Sequence, residues 1–198
     1  VISLIIVMLR FLFFSRIQSA EELAEKTHLP IIGDLPLQKN VANTGILVDE
    51  SPNSILAESF RTLRTNLQYV ILNSHKKTIL VTSNGPGEGK TFTTINIAAI
   101  LAKGGKKVVM LELDLHKPRI QKALVMNAEI GISTFMIGEN TLDEIVKPTQ
   151  IKGLYAILSG PIPPNPSDLV LSEKLKELID YAKQNFDYVL IDTPPIGM

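Results

Sequence analysis

Cysteine and tryptophan are both missing from this sequence, and so is any net charge. Without cysteine the chain can build no disulfide, no thiolate metal site and no cysteine nucleophile, which agrees with a reducing compartment. Its 20 basic side chains balance 20 acidic ones, so no overall field draws it to nucleic acid, and none is expected as a partner. An anionic ligand has to be caught locally. Internal repeats and low-complexity tracts are lacking as well. What remains is 198 residues with 45% hydrophobic content, enough for one substantial core.

Long apolar runs are scarce. One stretch stands out, VISLIIVMLRFLFF at residues 1–14, broken by Ser3 and Arg10. As a helix it would reach roughly 21 Å, against a hydrocarbon core of roughly 30 Å. A secretory signal would need a basic start and a small-residue cleavage site, and neither flanks it. The run is therefore expected to be the end of a transmembrane helix, with Arg10, Arg16 and Lys26 on the cytoplasmic side. This places the protein at a plasma membrane, with the chain read as a fragment at both ends. Residues 15–50 form a juxtamembrane linker: Ser19 and Glu22 make a capping box for a short helix, and Pro30 and Pro36 keep the following stretch extended. Residues 51–198 form the main domain.

Within that domain Phe60, Leu63, Leu67, Val70 and Ile71 recur at helical spacing over Ile55 to Leu72, with Glu58, Arg61 and Arg64 on the polar side. Apolar strands are predicted at Thr78 to Thr82, Lys107 to Leu113, Leu154 to Leu158 and Tyr188 to Ile191. Helices are predicted at Thr91 to Lys103, in pieces from Pro118 to Val146, and from Ser167 to Gln184. Strands apolar along their whole length, alternating with helices, mark an α/β fold with a mainly parallel sheet covered by helices on both faces. Lys103, Lys106 and Lys107 around the Gly104-Gly105 turn read as a solvated helix end.

The strongest chemical signal is SNGPGEGKT at residues 83–91, between a strand and a helix. Glycines at 85, 87 and 89 let backbone amides approach phosphate oxygens, and the helix adds its positive end. Lys90 would reach the β and γ phosphates and the Thr91 hydroxyl would serve Mg2+, as in a P-loop that binds ATP. The expected nucleotide-binding set is Gly85, Gly87, Glu88, Gly89, Lys90, Thr91 and Phe92. Asn84 stands where the bare motif has glycine, and asparagine tolerates the left-handed backbone such a turn could require.

A P-loop needs carboxylates for its metal at the ends of neighbouring strands. Tyr188 to Asp192 is one such strand, followed by Thr193-Pro194-Pro195. Val108 to Asp114 is another, with Glu112 and Asp114 two residues apart. In an extended segment both would point to one side and address one metal or one substrate hydroxyl.

Together these residues resemble the bacterial tyrosine kinases, P-loop enzymes of capsule and exopolysaccharide export. The resemblance spans about Ile31 to Pro195. Ser83, Pro86, Gly87, Glu88, Gly89, Lys90 and Thr91 match that family's S-x-x-P-G-E-G-K-[ST] loop, and Asp192 with Pro195 match its D-x-x-P motif. Its D-x-D-x-R motif is read here as Glu112, Asp114 and His116, followed by Lys117-Pro118. Pro163 to Leu169 resembles its P-P-N-P-x-E-L segment. Glu58, Arg61 and Arg64 match its E-x-x-R-x-x-R oligomerisation motif.

The resemblance implies tyrosine autophosphorylation that regulates polysaccharide polymerisation and export, subunits forming a ring, and a cytoplasmic domain at the bacterial inner membrane. Lys90, Glu112, Asp114 and Asp192 would be catalytic; Thr91, Asp114 and Asp192 would hold Mg2+; Glu112 stands where the family has an aspartate that meets the incoming tyrosine. Two alternatives remain. One is a non-kinase ATPase of the kind that positions chromosomes and division sites, although those loops carry a lysine where Gly85 stands here. The other is a chain-length regulator that uses nucleotide binding as an assembly switch.

Overall fold

The computed structural model describes residues 3, 4, 6, 8, 17, 19–37, 46, 53–71, 77–166 and 172–197. They fall into two compact units, Val1–Asp34 and Leu35–Met198. In the first, α1 (Ala20–Lys26) starts at Ser19, whose hydroxyl accepts the Glu22 amide at 3.2 Å. Glu22 also pairs with Lys26 at 2.8 Å, one turn on. Most of residues 1–14, on which the membrane expectation rests, lie outside the described set, although Ser3, Leu4, Ile6 and Met8 are helical. Among the described residues no helix is long and apolar enough to cross a membrane. The linker boundary expected at residue 50 also falls outside them.

The second unit is built on five strands: β1 (Thr78–Val81), β2 (Val108–Glu112), β3 (Val146–Pro148), β4 (Leu154–Ile157) and β5 (Tyr188–Asp192). Their order in the sheet is β1-β5-β2-β4-β3, and every pairing is parallel except β3 with β4. β2 and β5 are buried at every position, which is why they read as unbroken apolar runs. Side chains alternate between the two faces. Val109, Leu111, Val189, Ile191 and Ile157 join one core cluster with Ile132 and Phe135 of α5 (Ile132–Met136), Ile145 of α6 (Leu142–Ile145), and Leu178 and Ala182 of α7 (Glu173–Asn185). On the other face α3 (Lys90–Lys103) lies across β1, β5, β2 and β4, and α2 (Ile55–Val70) packs on α3. Covered on both sides, α3 has every residue from Thr94 to Ala102 buried. A four-residue helix, α4 (Ile120–Ala123), follows β2.

Three local expectations need correction. The helical pieces expected up to Val146 stop at Ile145, and Val146 opens an antiparallel edge strand, Val146 to Pro148; three residues carry no periodicity, and Pro148 is tolerated because it sits at an edge. Helix α7 starts at Glu173 behind its extended N-cap Ser172, so no single helix runs from Ser167 to Gln184; residues 167–171 lie outside the described set. Val70 closes α2 more than half exposed, so the buried stripe is Leu56, Ala57, Phe60, Leu63 and Leu67.

Candidate functional site

β1 runs into the loop of residues 82–89 and then into α3, at the carboxyl edge of the parallel strands where open α/β sheets form their crevices. Gly87 and Gly89 have φ of 85° and 87°, a region where side chains are strained. A Cβ at either would meet nothing within 4 Å. Glycine is therefore demanded there by the torsion, and the space in front of the amides stays open. Asn84 does not use the left-handed backbone that its sequence position allowed; Val125 alone among described non-glycine residues has positive φ. Its amide instead donates to Glu88 Oε2 at 3.0 Å, and its carbonyl accepts the Gly197 amide at 3.0 Å. This explains why the glycine of the bare motif is dispensable here.

Lys90, the first residue of α3, turns its ammonium toward the strand ends. Its Nζ lies 2.9 Å from Asp192 Oδ1 and 3.8 Å from Asp114 Oδ2. The Thr91 hydroxyl donates to Asp192 Oδ2 at 2.8 Å, and Thr94 Oγ1 lies 3.4 Å from Asp192 Oδ1. Asp192 ends β5 in register with Val81 of β1 and Glu112 of β2, so the sheet itself carries it to the loop. Lys90 and Thr91 open onto a pocket of about 220 Å³ that is also lined by the glycine loop, Phe92, Asp114, Lys117, Arg119 and Pro195, while Asp192 and Thr94 stay buried behind it.

The expected site residues divide. Lys90, Thr91, Asp114 and Asp192 are brought together. Gly87, Gly89 and Phe92 line the pocket, and the Phe92 ring meets Phe60 of α2 edge to face at 5.8 Å. Gly85 and Glu88 shape the loop without lining the pocket, Glu88 through its bond to the Asn84 amide.

Glu112 parts from Asp114. Wholly buried, it accepts the Ile120 amide through Oε1 and the Ser159 amide through Oε2 at 3.1 Å. Burial pushes its carboxyl above the usual range, opposed by the amides of Ser159, Ile120 and Arg119 around it. The two carboxylates were expected on one side because the strand was taken to run through both. β2 ends at Glu112, and Asp114 lies beyond it.

Glu58 and Arg61 form an exposed pair at 2.6 Å on α2. Arg64, expected beside them, departs from that row: its Nε is buried without a hydrogen-bond partner among the described residues, and its guanidinium lies close to Gly104 at the end of α3. Lys117 and Arg119 had no place in the expected site. Their cations follow the second acidic strand directly, which was the available signal.

The residues present suit a magnesium nucleotide. Open amides and the start of α3 suit phosphate oxygens, while Thr91, Asp114 and Asp192 are oxygen donors. Among the described residues no three acidic or histidine groups converge as a full cage. Mg2+ tolerates that, because it usually keeps waters and phosphate oxygens as ligands.

Fold and loop together define a P-loop nucleotide-binding domain. The model of the AAA domain family matches residues 76–197, more than half the chain. Tyrosine-protein kinase YwqD of Bacillus subtilis is 36% identical over 81% of this chain and 65% of its own length. A Klebsiella pneumoniae protein, named as a tyrosine-protein kinase in the cps region, is 30% identical over 99% of this chain and 29% of its own length. The kinase domain of the Escherichia coli tyrosine kinase ETK superposes with a TM-score of 0.84 at 26% identity, covering 90% of this chain and 73% of that domain. The chain belongs to the AAA domain family and, within it, to the bacterial tyrosine kinases. It spans less than two thirds of the length of these two curated relatives.

Proposed function

We propose that this chain is the catalytic domain of an ATP-dependent protein-tyrosine autokinase that regulates polysaccharide polymerisation and export. The observation that carries the reading is that Lys90, Thr91 and Asp114 line one open pocket at the glycine loop, with the buried Asp192 holding both Lys90 and Thr91 from behind. Magnesium ATP, when bound, supplies the phosphoryl group. Lys90 and the loop amides would then balance phosphate charge, and Thr91 with Asp192 would hold the ion. Of Glu112 and Asp114, only Asp114 lines the pocket, which supports it as the carboxylate that would orient an incoming tyrosine hydroxyl and accept its proton.

The polysaccharide role is supported by the cps-region relative. Attachment to the inner membrane, with this domain cytoplasmic, is supported by the apolar run at residues 1–14 and the basic residues after it. A ring of subunits is supported by the Glu58, Arg61 and Arg64 spacing, with Arg61 as the exposed guanidinium. Arg61→Ala is expected to give monomers where the wild-type protein gives rings, as read by light scattering over a concentration series; rings that persist in the variant would remove Arg61 from the subunit contact, and a monomeric wild type would remove the ring.

The burial of Glu112 favours one competing reading, nucleotide binding as an assembly switch without phosphotransfer. Labelled ATP and a tyrosine-rich peptide separate the two. The wild-type protein is expected to label tyrosine in a magnesium-dependent way, with Asp114→Asn slowing transfer about a hundredfold. Tight MgATP binding with no transfer at all would leave the switch.

A further inference from the structure

The segment between β2 and α4 is held at two points by the two carboxylates of the acidic strand. Asp114 Oδ1 accepts the Lys117 amide at 3.0 Å, and Glu112 Oε1 accepts the Ile120 amide. Between them Pro118 is buried, while Lys117 and Arg119 are exposed and line the phosphate pocket. The Arg119 guanidinium makes no hydrogen bond or ion pair among the described residues. Glu112 is anchored in turn by the Ser159 amide, which follows β4. The clip therefore ties the rim of the pocket to the middle of the sheet.

Charge within the pocket shows why the rim matters. The Lys90 ammonium is already committed to two carboxylates, Asp114 on the pocket wall and the buried Asp192 behind it. Those side chains alone would repel a polyphosphate. The cations that reverse the sign are Lys117 and Arg119. Of the two, arginine has the planar fork that binds two phosphate oxygens at once. Its segment leaves the sheet beside Asp114, whose carboxylate lies 3.8 Å from Lys90, the residue that would meet the β and γ phosphates in a P-loop, and Arg119 and Lys90 line the same pocket.

We propose that Arg119 is the second cation of the phosphate site, contacting the terminal phosphate of ATP, and that Glu112 is its positioning residue, acting through the backbone of residues 117–120. This rests on the nucleotide reading of the site. It also gives the glutamate a reason to be there: its length lets one side chain span the amides of both Ile120 and Ser159.

Calorimetric titration of the protein with MgATP and separately with MgADP tests this. Arg119→Ala should weaken MgATP roughly tenfold and MgADP less than about threefold, since a charge-assisted contact to the last phosphate is lost. Arg119→Lys should recover part of the difference. Glu112→Gln should reproduce the ATP-selective loss and add nothing further in the Arg119→Ala background. If Glu112→Gln does not fold, Glu112→Asp, which shortens the clip, carries the same expectation. Equal losses for both nucleotides in Arg119→Ala, or no loss, would overturn the role of Arg119. A Glu112 effect that keeps its full size without Arg119 would overturn the positioning. A wild-type protein that binds no MgATP, or one indifferent to Lys90→Ala, would instead sink the nucleotide site itself.

Discussion

Lys90→Ala is expected to lower MgATP affinity by roughly a hundredfold, because the ammonium at the end of the glycine loop is lost from the phosphates. The same change has a second consequence that the geometry makes specific. Lys90 Nζ lies within 4 Å of both Asp192 and Asp114, and all three side chains are 10% exposed or less. Removing the cation leaves two neighbouring carboxylates, with Asp192 keeping the Thr91 hydroxyl as a donor. A buried charge stripped of its partner costs about 3 kcal/mol. The variant should therefore unfold at lower urea than the wild type, and millimolar MgCl2 should restore part of the loss by placing a cation between the carboxylates. Unchanged stability would mean that the Lys90, Asp114 and Asp192 cluster does not hold in solution. Unchanged affinity would remove the phosphate site.

Gly131→Ala should be among the most destabilising single substitutions in the domain, at about 3 kcal/mol. Gly131 precedes α5, and the next two amides, of Ile132 and Ser133, donate to the carbonyls of Leu158 and Ser159 at 2.8 and 2.9 Å. A Cβ on Gly131 would fall inside contact distance of the Leu158 carbonyl oxygen and of the Gly160 nitrogen and Cα. All of these are backbone atoms, so no side chain can swing aside. The start of α5 would have to lift from the end of β4, taking with it the Ser159 amide that anchors Glu112. Urea denaturation monitored by circular dichroism measures the change, and a midpoint within error of the wild type would mean that the two segments separate at little cost.

The main elements were legible because each obeys a local rule. β2 and β5 are unbroken apolar runs because a central parallel strand is covered on both faces, and the glycines at 87 and 89 are spelled out by their positive φ. α3 was legible as a helix, and its burial on all sides followed once α2 was seen to cover it. The short edge strand β3 was not legible, since three residues ending in proline carry no period.

At the site, the sequence by itself determined the loop, its lysine and threonine, and the strand-end aspartate. Their chemistry depends on residue type and on adjacency along the chain, and a strand, glycine loop and helix in succession leave the loop few ways to turn. Tertiary structure alone decided how the acidic strand was used. Two carboxylates two residues apart look equivalent on an ideal strand, but β2 ends at the first of them. Glu112 then faces amides contributed by residues 120 and 159, and Asp114 faces Lys90. Tertiary structure also drew Arg64 away from the exposed pair of Glu58 and Arg61, and set Arg119 on the pocket rim. The physical reason is the same throughout: a side chain's role depends on which distant backbone meets it, and spacing along one element does not encode that.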